Sequence, residues 1–271
     1  MDYRLLLIGC GKMGGALLSG WLARGIAGRI DVVEPAWDRL PEGLAGDGRV
    51  HLCPAGAAWE AGPPPHAVVL AVKPQAMDAV VPDYAPLARR GTLFLSIAAG
   101  KTIAYFRRLL GPDARIVRAM PNTPAAVAKG ISVLAAGPEV DPGSRRLCDA
   151  LMQAVGQVEW VDDEAAMDAV TALSGGGPAY VFLLIETLAA AGRAAGLDAG
   201  LAMRLARQTV VGAAALADAS DDDAATLRRN VTSPGGTTAE ALRVLMADDG
   251  VQPLFDRAIA AATARSRELA G

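Results

Sequence analysis

Two patterns joined near residue 161 define the predicted fold class: an α/β domain over residues 1–161, followed by an all-α domain over residues 162–271. Three observations carry that prediction. In the first stretch, short runs rich in β-branched residues alternate with helical periodicity, as strands alternate with crossover helices. After Asp162 and Asp163 the strand-like runs stop, and Ala/Leu-rich helical periodicity continues to the last residue. Between the first strand-like run and the first helical one lies a glycine-rich turn, Gly9-Cys10-Gly11-Lys12-Met13-Gly14, which requires a strand behind it and a helix ahead.

Taken in order, the candidate strands are Arg4 to Gly9, Ile30 to Glu34, Ala67 to Val72, Thr92 to Ile97, Ala114 to Ala119 and Ile131 to Ala135, with the weakest pattern at Gln157 to Val161. Short, nearly continuous apolar runs suit a buried, largely parallel sheet. Asp162 and Asp163 start the helical part. Pro178 suits the first turn of a long helix, Asp198 the cap of the next, and Asp221-Asp222-Asp223 the positive end of another helix dipole. That acidic run reads as a cap rather than a metal site. Segments Val181 to Ala195 and Leu201 to Ala217 carry little charge around their circumference and so need burial on more than one side. A second copy of the chain provides it, which predicts a homodimer.

Composition bounds the partner. Of 271 residues, 52% are hydrophobic and 20% charged, ample for buried cores. The 26 basic and 29 acidic residues leave a formal charge of -3, which points away from a nucleic-acid groove or an anionic membrane surface and toward a small molecule. No stretch reaches the roughly eighteen uncharged apolar residues of a membrane span, so the expected setting is the cytoplasm, without membrane or nucleic acid. Cys10, Cys53 and Cys148 are odd in number and lack CxxC or Cys/His spacing. They read as reduced core thiols, with no metal site.

In the glycine-rich turn the spacing GxGxxG assigns separate work to each glycine. Gly9 turns tightly, Gly11 admits a pyrophosphate, and Gly14 lets helix approach strand, with Lys12 and Met13 between them. Glu34, twenty residues after Gly14 at the end of the second strand, can accept from the adenosine ribose hydroxyls. Its charge opposes a 2′-phosphate, softened by nearby Arg39, so the choice between NADH and NADPH tilts toward NADH. The domain is thus of Rossmann type. Ligands in such sheets lie across the carboxyl ends of strands. That edge also receives Ala71-Val72-Lys73-Pro74, the Ala98-Ala99-Gly100 turn, and Met120-Pro121-Asn122-Thr123-Pro124, where Asn122 carries both a donor and an acceptor.

A second glycine-rich turn lies far down the chain. Val231-Thr232-Ser233-Pro234-Gly235-Gly236-Thr237-Thr238 opens helical periodicity from Thr237, and a helix start of this kind aims free backbone N–H groups at one spot. It suits a carboxylate. An ordinary turn with Ser233 or Thr237 as the helix cap uses the same residues.

With these segments assembled, the chain resembles the pyrroline-5-carboxylate reductase family along essentially its whole length. The resemblance is carried by Gly9 to Gly14, Ala71 to Pro74, Arg118 to Pro124, Leu173-Ser174-Gly175-Gly176-Gly177-Pro178-Ala179-Tyr180, and above all Val231 to Thr238. It implies NAD(P)H in the Rossmann domain, an interlocked helical dimer that completes each active site, and in some members a larger ring of dimers. It also implies reduction of a cyclic imine, (S)-1-pyrroline-5-carboxylate, to proline. The substrate carboxylate would meet backbone N–H groups of Ser233, Gly236, Thr237 and Thr238, across a turn made by Gly235, with the Thr238 hydroxyl near the ring nitrogen as the catalytic group. One departure is Gly176, where the family often carries a serine or cysteine.

Two other readings stay open at this point. A β-hydroxyacid dehydrogenase of related build would use a helical-domain lysine for acid–base work, yet no lysine follows Lys129 and the two histidines, His51 and His66, lie outside the proposed site. A non-catalytic NAD-binding regulator would keep the first domain alone, since fold does not dictate turnover.

Overall fold

The computed structural model describes residues 3–35, 44, 46–54 and 63–270. Arg39 therefore lies outside the described residues. Among them, eight strands form one sheet: β1 (Tyr3–Ile8), β2 (Ala27–Val33), β3 (Val50–Cys53), β4 (Ala67–Leu70), β5 (Leu93–Ser96), β6 (Arg115–Met120), β7 (Gly130–Ala136) and β8 (Gly156–Val161). Their order is β3-β2-β1-β4-β5-β6-β7-β8, so the winding reverses between β1 and β4. That reversal opens the crevice in which doubly wound sheets take ligands.

All neighbours are parallel except β6 and β7, which run antiparallel. The cause is the link between them. Residues 121–129 are too few for a crossover helix, so the chain can only turn back. Strand β3, which contains His51, has no counterpart among the expected strands. It is four residues long and three of those are half-buried, which leaves no apolar run to detect.

Helices α1 (Lys12–Arg24), α2 (Met77–Val80), α3 (Ala85–Arg89), α4 (Ile103–Leu110), α5 (Pro142–Gln153) and α6 (Met167–Val170) accompany the sheet. Alternate residues of β1 feed two cores, one built on Leu5 and Leu7 with Trp21 and Leu151, the other on Leu6 and Ile8 with Phe94 and Phe106. A strand buried on both faces loses polar alternation, which is why these strands read as continuous apolar runs. Trp21 completes its burial by donating Nε1–H to the Leu151 carbonyl at 2.8 Å.

The described chain forms two compact units, residues 1–175 with 262–271, and residues 176–261. Helical periodicity starts earlier than that division, because residues 162–175 pack with the first unit. Asp163 caps the turn there by accepting from Ala165 N–H at 2.9 Å, and Met167 is fully buried in the second core. The last turns of the final helix, α11 (Val251–Ala270), pack there too, with Ser266 Oγ donating to Asp168 at 2.7 Å.

The second unit contains α7 (Gly177–Ala194), α8 (Ala199–Asp218), α9 (Ala224–Asn230), α10 (Thr237–Leu245) and the start of α11. Its caps are those the sequence predicts. Pro178 lies in the first turn of α7, Asp198 accepts from Leu201 N–H at 3.0 Å, and Asp223 accepts from Thr226 N–H at 2.6 Å. Helices α7 and α8 approach through small residues: a Cβ on Gly192 would lie 3.3 Å from Ala202 Cβ. Phe182, Leu183 and Leu184 on α7, and Leu205, Val211 and Leu216 on α8, remain exposed. By length and composition alone, the helical run Glu164–Ala194 is apolar enough to cross a membrane.

Candidate active site

The carboxyl ends of β1 and β2 build the first part of the site. Gly9 has φ +90°, and a Cβ there would come within 2.9 Å of the Ala71 backbone. A Cβ on Gly14 would run into the Gly9 carbonyl oxygen, whereas one on Gly11 would meet nothing within 4 Å. Two of the three glycines are thus demanded by the protein's own packing. The third faces open space, where a pyrophosphate backbone can approach the N-terminus of α1, of which Gly11 is the cap residue without a side-chain hydrogen bond. The Gly9 N–H donates to Val33 O at 2.8 Å and the Cys10 N–H to Glu34 Oε2 at 2.7 Å, so the end of β2 anchors the turn. Glu34 stands beside the turn. Lys12 is exposed and Met13 half-buried against the first core. Burial, and secondarily the Glu34 charge, pushes the Cys10 thiol up to about 11. It is an inert packing group. Cys148 is fully buried, Cys53 half-buried, and all three cysteines are free thiols.

Along the same edge, Ala71 N–H donates to Ile8 O at 2.8 Å, which seats Ala71 and Val72 beside the turn. Lys73, extended and exposed, precedes a 3-10 turn with Pro74 at its start. Beyond β5, Ala99 is exposed between buried Ala98 and Gly100. At the end of β6, Met120 lies close enough to Gly175 that a Cβ there would collide with its Cε, and the segment Thr171–Gly175 is π-helical, a local widening frequent at functional sites. The one departure on this edge concerns Asn122. Its side-chain oxygen accepts from Ile131 N–H at 3.0 Å, which commits that acceptor to the fold and leaves the NH2 group as the donor for a ligand.

Two cavities bracket the sheet. One of about 610 Å³, lined by Tyr3, His66, Thr92 and Arg115, lies at the strands' amino ends, away from the glycine-rich turn. His66 there accepts from Arg4 N–H at 3.0 Å and packs edge-on against Tyr3, a structural role. The other, of about 450 Å³, is lined by Pro74, Ala99, Gly100, Thr171, Ser266 and Leu269. It sits at the carboxyl ends. Of these two, the second shares Pro74 and Ala99 with the predicted cofactor edge.

The second glycine-rich turn belongs to the other unit. Gly235 has φ +67°, which a side chain would strain, and Gly236 is the cap residue of α10 in extended conformation without a side-chain hydrogen bond. Neither Ser233 nor Thr237 serves as the helix cap. The Gly236 N–H, expected to face a carboxylate, instead donates to Ser233 O at 3.1 Å. The turn closes on that bond. The first-turn N–H groups of Thr237, Thr238 and Ala239 have no intrahelical acceptor, as at any helix start. Ser233, Gly235, Thr237 and Thr238 are exposed in the single chain. Among the described residues no cluster of His, Cys, Asp and Glu could hold a metal ion.

Sequence reasoning passed over two charged groups near this edge, Arg118 and Glu164. An arginine in the interior of β6, flanked by Val117 and Ala119, was the available signal, since a buried charge needs a partner. Its partner, 46 residues on, has no local signature.

A family model described as pyrroline-5-carboxylate reductase dimerisation matches residues 164–269, and one described as NADP oxidoreductase coenzyme F420-dependent matches residues 4–100. The chain is 42% identical to the pyrroline-5-carboxylate reductase of Pseudomonas aeruginosa, over 98% of this chain and 97% of that one. It is 39% identical to the Mycobacterium tuberculosis protein of the same name, over 98% and 96%. Among solved structures, a pyrroline-5-carboxylate reductase from Coxiella burnetii matches with TM-score 0.91 and 36% identity over 100% of both chains. The Plasmodium falciparum pyrroline carboxylate reductase, solved with NADP bound, matches with TM-score 0.82 and 28% identity over 100% of this chain and 99% of that one.

Proposed function

The chain belongs to the pyrroline-5-carboxylate reductase family, and from that membership we propose how its own residues divide the work. It reduces (S)-1-pyrroline-5-carboxylate to L-proline with NAD(P)H, the last step of proline biosynthesis. The observation that carries the division is a pair of unlike helix starts in one chain: a fingerprint packed around one open glycine, and a separate turn whose helix offers three N–H donors.

The first holds the cofactor. Gly9, Gly11 and Gly14 shape the turn, Lys12 and Met13 flank it, and Glu34 takes the ribose hydroxyls, favouring NADH over NADPH by its charge. Ala71, Val72, Lys73, Pro74, Ala99, Met120 and Asn122 line the remainder. Bound NAD(P)H supplies a hydride from carbon 4 of its dihydronicotinamide. The second turn holds the substrate. Ser233, Gly235 and Gly236 form it, and the N–H groups of Thr237 and Thr238 take the carboxylate. The Thr238 hydroxyl accepts a hydrogen bond from the protonated ring nitrogen, and that N–H stays on nitrogen when hydride adds to the C=N carbon. A threonine hydroxyl is a poor acid, so its contribution is orientation and hydrogen bonding. An iminium carbon is electrophilic once protonated, and holding the ring is most of what remains. The absence of any lysine after Lys129 fits this economy and fits poorly with oxidation of an alcohol.

The dimerisation model over 164–269 supports a homodimer, and we assign to it the apolar surface of Glu164–Ala194, rather than to a membrane. A larger ring of dimers, a cytoplasmic location and independence of nucleic acid belong to the same reading. The test is spectrophotometric. Purified protein should oxidise NADH with pyrroline-5-carboxylate and leave 2-oxo and 3-hydroxy acids untouched; turnover confined to a hydroxy acid would contradict the assignment.

A further inference from the structure

The loop from Ile97 to Thr102, which carries Ala99, leads from β5 into α4 and is held at both ends. Ser96 Oγ accepts from Ala98 N–H at 3.2 Å, and Thr102 Oγ1 accepts from Tyr105 N–H at 3.1 Å. Between these, Gly100 takes φ +74° under the Leu269 carbonyl, 3.2 Å from where a Cβ would stand. The remaining tether comes from farther away. Glu164 Oε1 accepts from Ile103 N–H, the first of α4, at 2.9 Å, and the same oxygen meets Arg118 Nη1 at 3.2 Å. Arg118 is 3% exposed in β6, on the same face as Met120 two residues on.

We propose that Glu164 is a positioning residue for the cofactor: one carboxylate oxygen ties the start of α4 to β6 and thereby fixes the Ala99 loop and Met120 relative to each other. Stability alone does not call for such a pair, because apolar replacements of a buried ion pair are often neutral or stabilising. What an apolar pair cannot do is cap Ile103 N–H. This rests on the reading of Ala99 and Met120 as cofactor-lining residues.

The decisive variant is Arg118→Met/Glu164→Met, which removes both charges and the cap together. It should melt within a few degrees of wild type, the lost cap on Ile103 N–H set against the gain from an apolar pair, yet raise KM for NADH about tenfold with kcat changed less than roughly threefold. Glu164→Gln, which keeps an oxygen for Ile103 N–H, should stay within about threefold of the wild-type KM. A wild-type KM in the double variant, or the full tenfold loss in Glu164→Gln, would overturn the proposal. Should the double variant not fold, Glu164→Asp keeps the charge and shortens its reach; about a threefold rise in KM is then expected, and no rise refutes the tether. Gly11→Asp, entering open space in the fingerprint, tests the underlying reading by NADH fluorescence titration. If it binds NADH like wild type, the cofactor reading falls and the proposal with it. If it loses NADH while the double variant keeps its KM, the positioning role alone is wrong.

Discussion

The two glycine-rich helix starts use glycine for opposite reasons. In the turn Gly9–Gly14, glycine makes room for the protein's own atoms: Gly14 has the Gly9 carbonyl against it, and Gly9 the Ala71 backbone. At Gly235 nothing stands within 4 Å of a would-be Cβ, and the requirement is φ +67° alone. The first turn is finished within one chain, anchored by Val33 and Glu34. The second is exposed, its helix uncapped by any side chain. The same contrast runs through the two units. The central strands of the first, β1, β4 and β5, are buried on both faces, whereas α7 and α8 leave Phe182, Leu184 and Leu205 to solvent. A packed turn preserves its own shape, and an open one leaves room for a ligand or a second copy.

That contrast can be broken at several points. The largest effect belongs to Gly14→Val, which drives a branched side chain into Gly9 O and should cost about 3 kcal/mol or more of stability in denaturant unfolding. An unfolding midpoint like wild type would mean the fingerprint is not packed as described. Next comes Phe182→Glu with Leu184→Glu, placing charge on the exposed face of α7. Light scattering should give at least twice the chain mass for wild type and a single chain mass for this variant, because a buried unpaired charge opposes association. A wild-type monomer with full activity would remove the homodimer from the account. Smaller still is Gly235→Ala, expected to lose about 1–2 kcal/mol from left-handed backbone strain, without the steric collapse of Gly14→Val. The smallest is Glu34→Ser. It should raise the NADPH-to-NADH ratio of kcat/KM several-fold, about 1 kcal/mol, by removing a like charge. An unchanged ratio would take Glu34 out of the choice of cofactor and keep its anchoring of Cys10 N–H.

What the sequence disclosed follows from where its signals are local. Strands β1, β4 and β5 are buried on both faces and announce themselves as apolar runs, and the caps at Asp198 and Asp223 lie beside the helices they start. Strand β3 escaped because four residues, three of them half-exposed, carry no run. The reversed β7 follows from loop length rather than from any residue in it. Glycine spacing, read with the strand and helix patterns around it, marked both glycine-rich turns, and each does open a helix. The bonds that redirect Gly236 N–H to Ser233 and the Asn122 oxygen to Ile131 were not legible, since each depends on backbone geometry that pairwise spacing does not specify. Arg118 and Glu164 are joined only by the fold.

The central claim is that cofactor and substrate are held by separate helix starts, and one paired measurement tests it most directly: NADH affinity and pyrroline-5-carboxylate turnover, each in Thr238→Ala and in Gly11→Asp. Thr238→Ala keeps the backbone donor and deletes one hydroxyl. It should lower kcat/KM by about ten- to a hundredfold, roughly 1.5–3 kcal/mol, with NADH binding near wild type, while Gly11→Asp loses NADH binding and turnover together. Wild-type turnover in Thr238→Ala, or a loss of NADH binding there as large as the loss of turnover, would contradict the account.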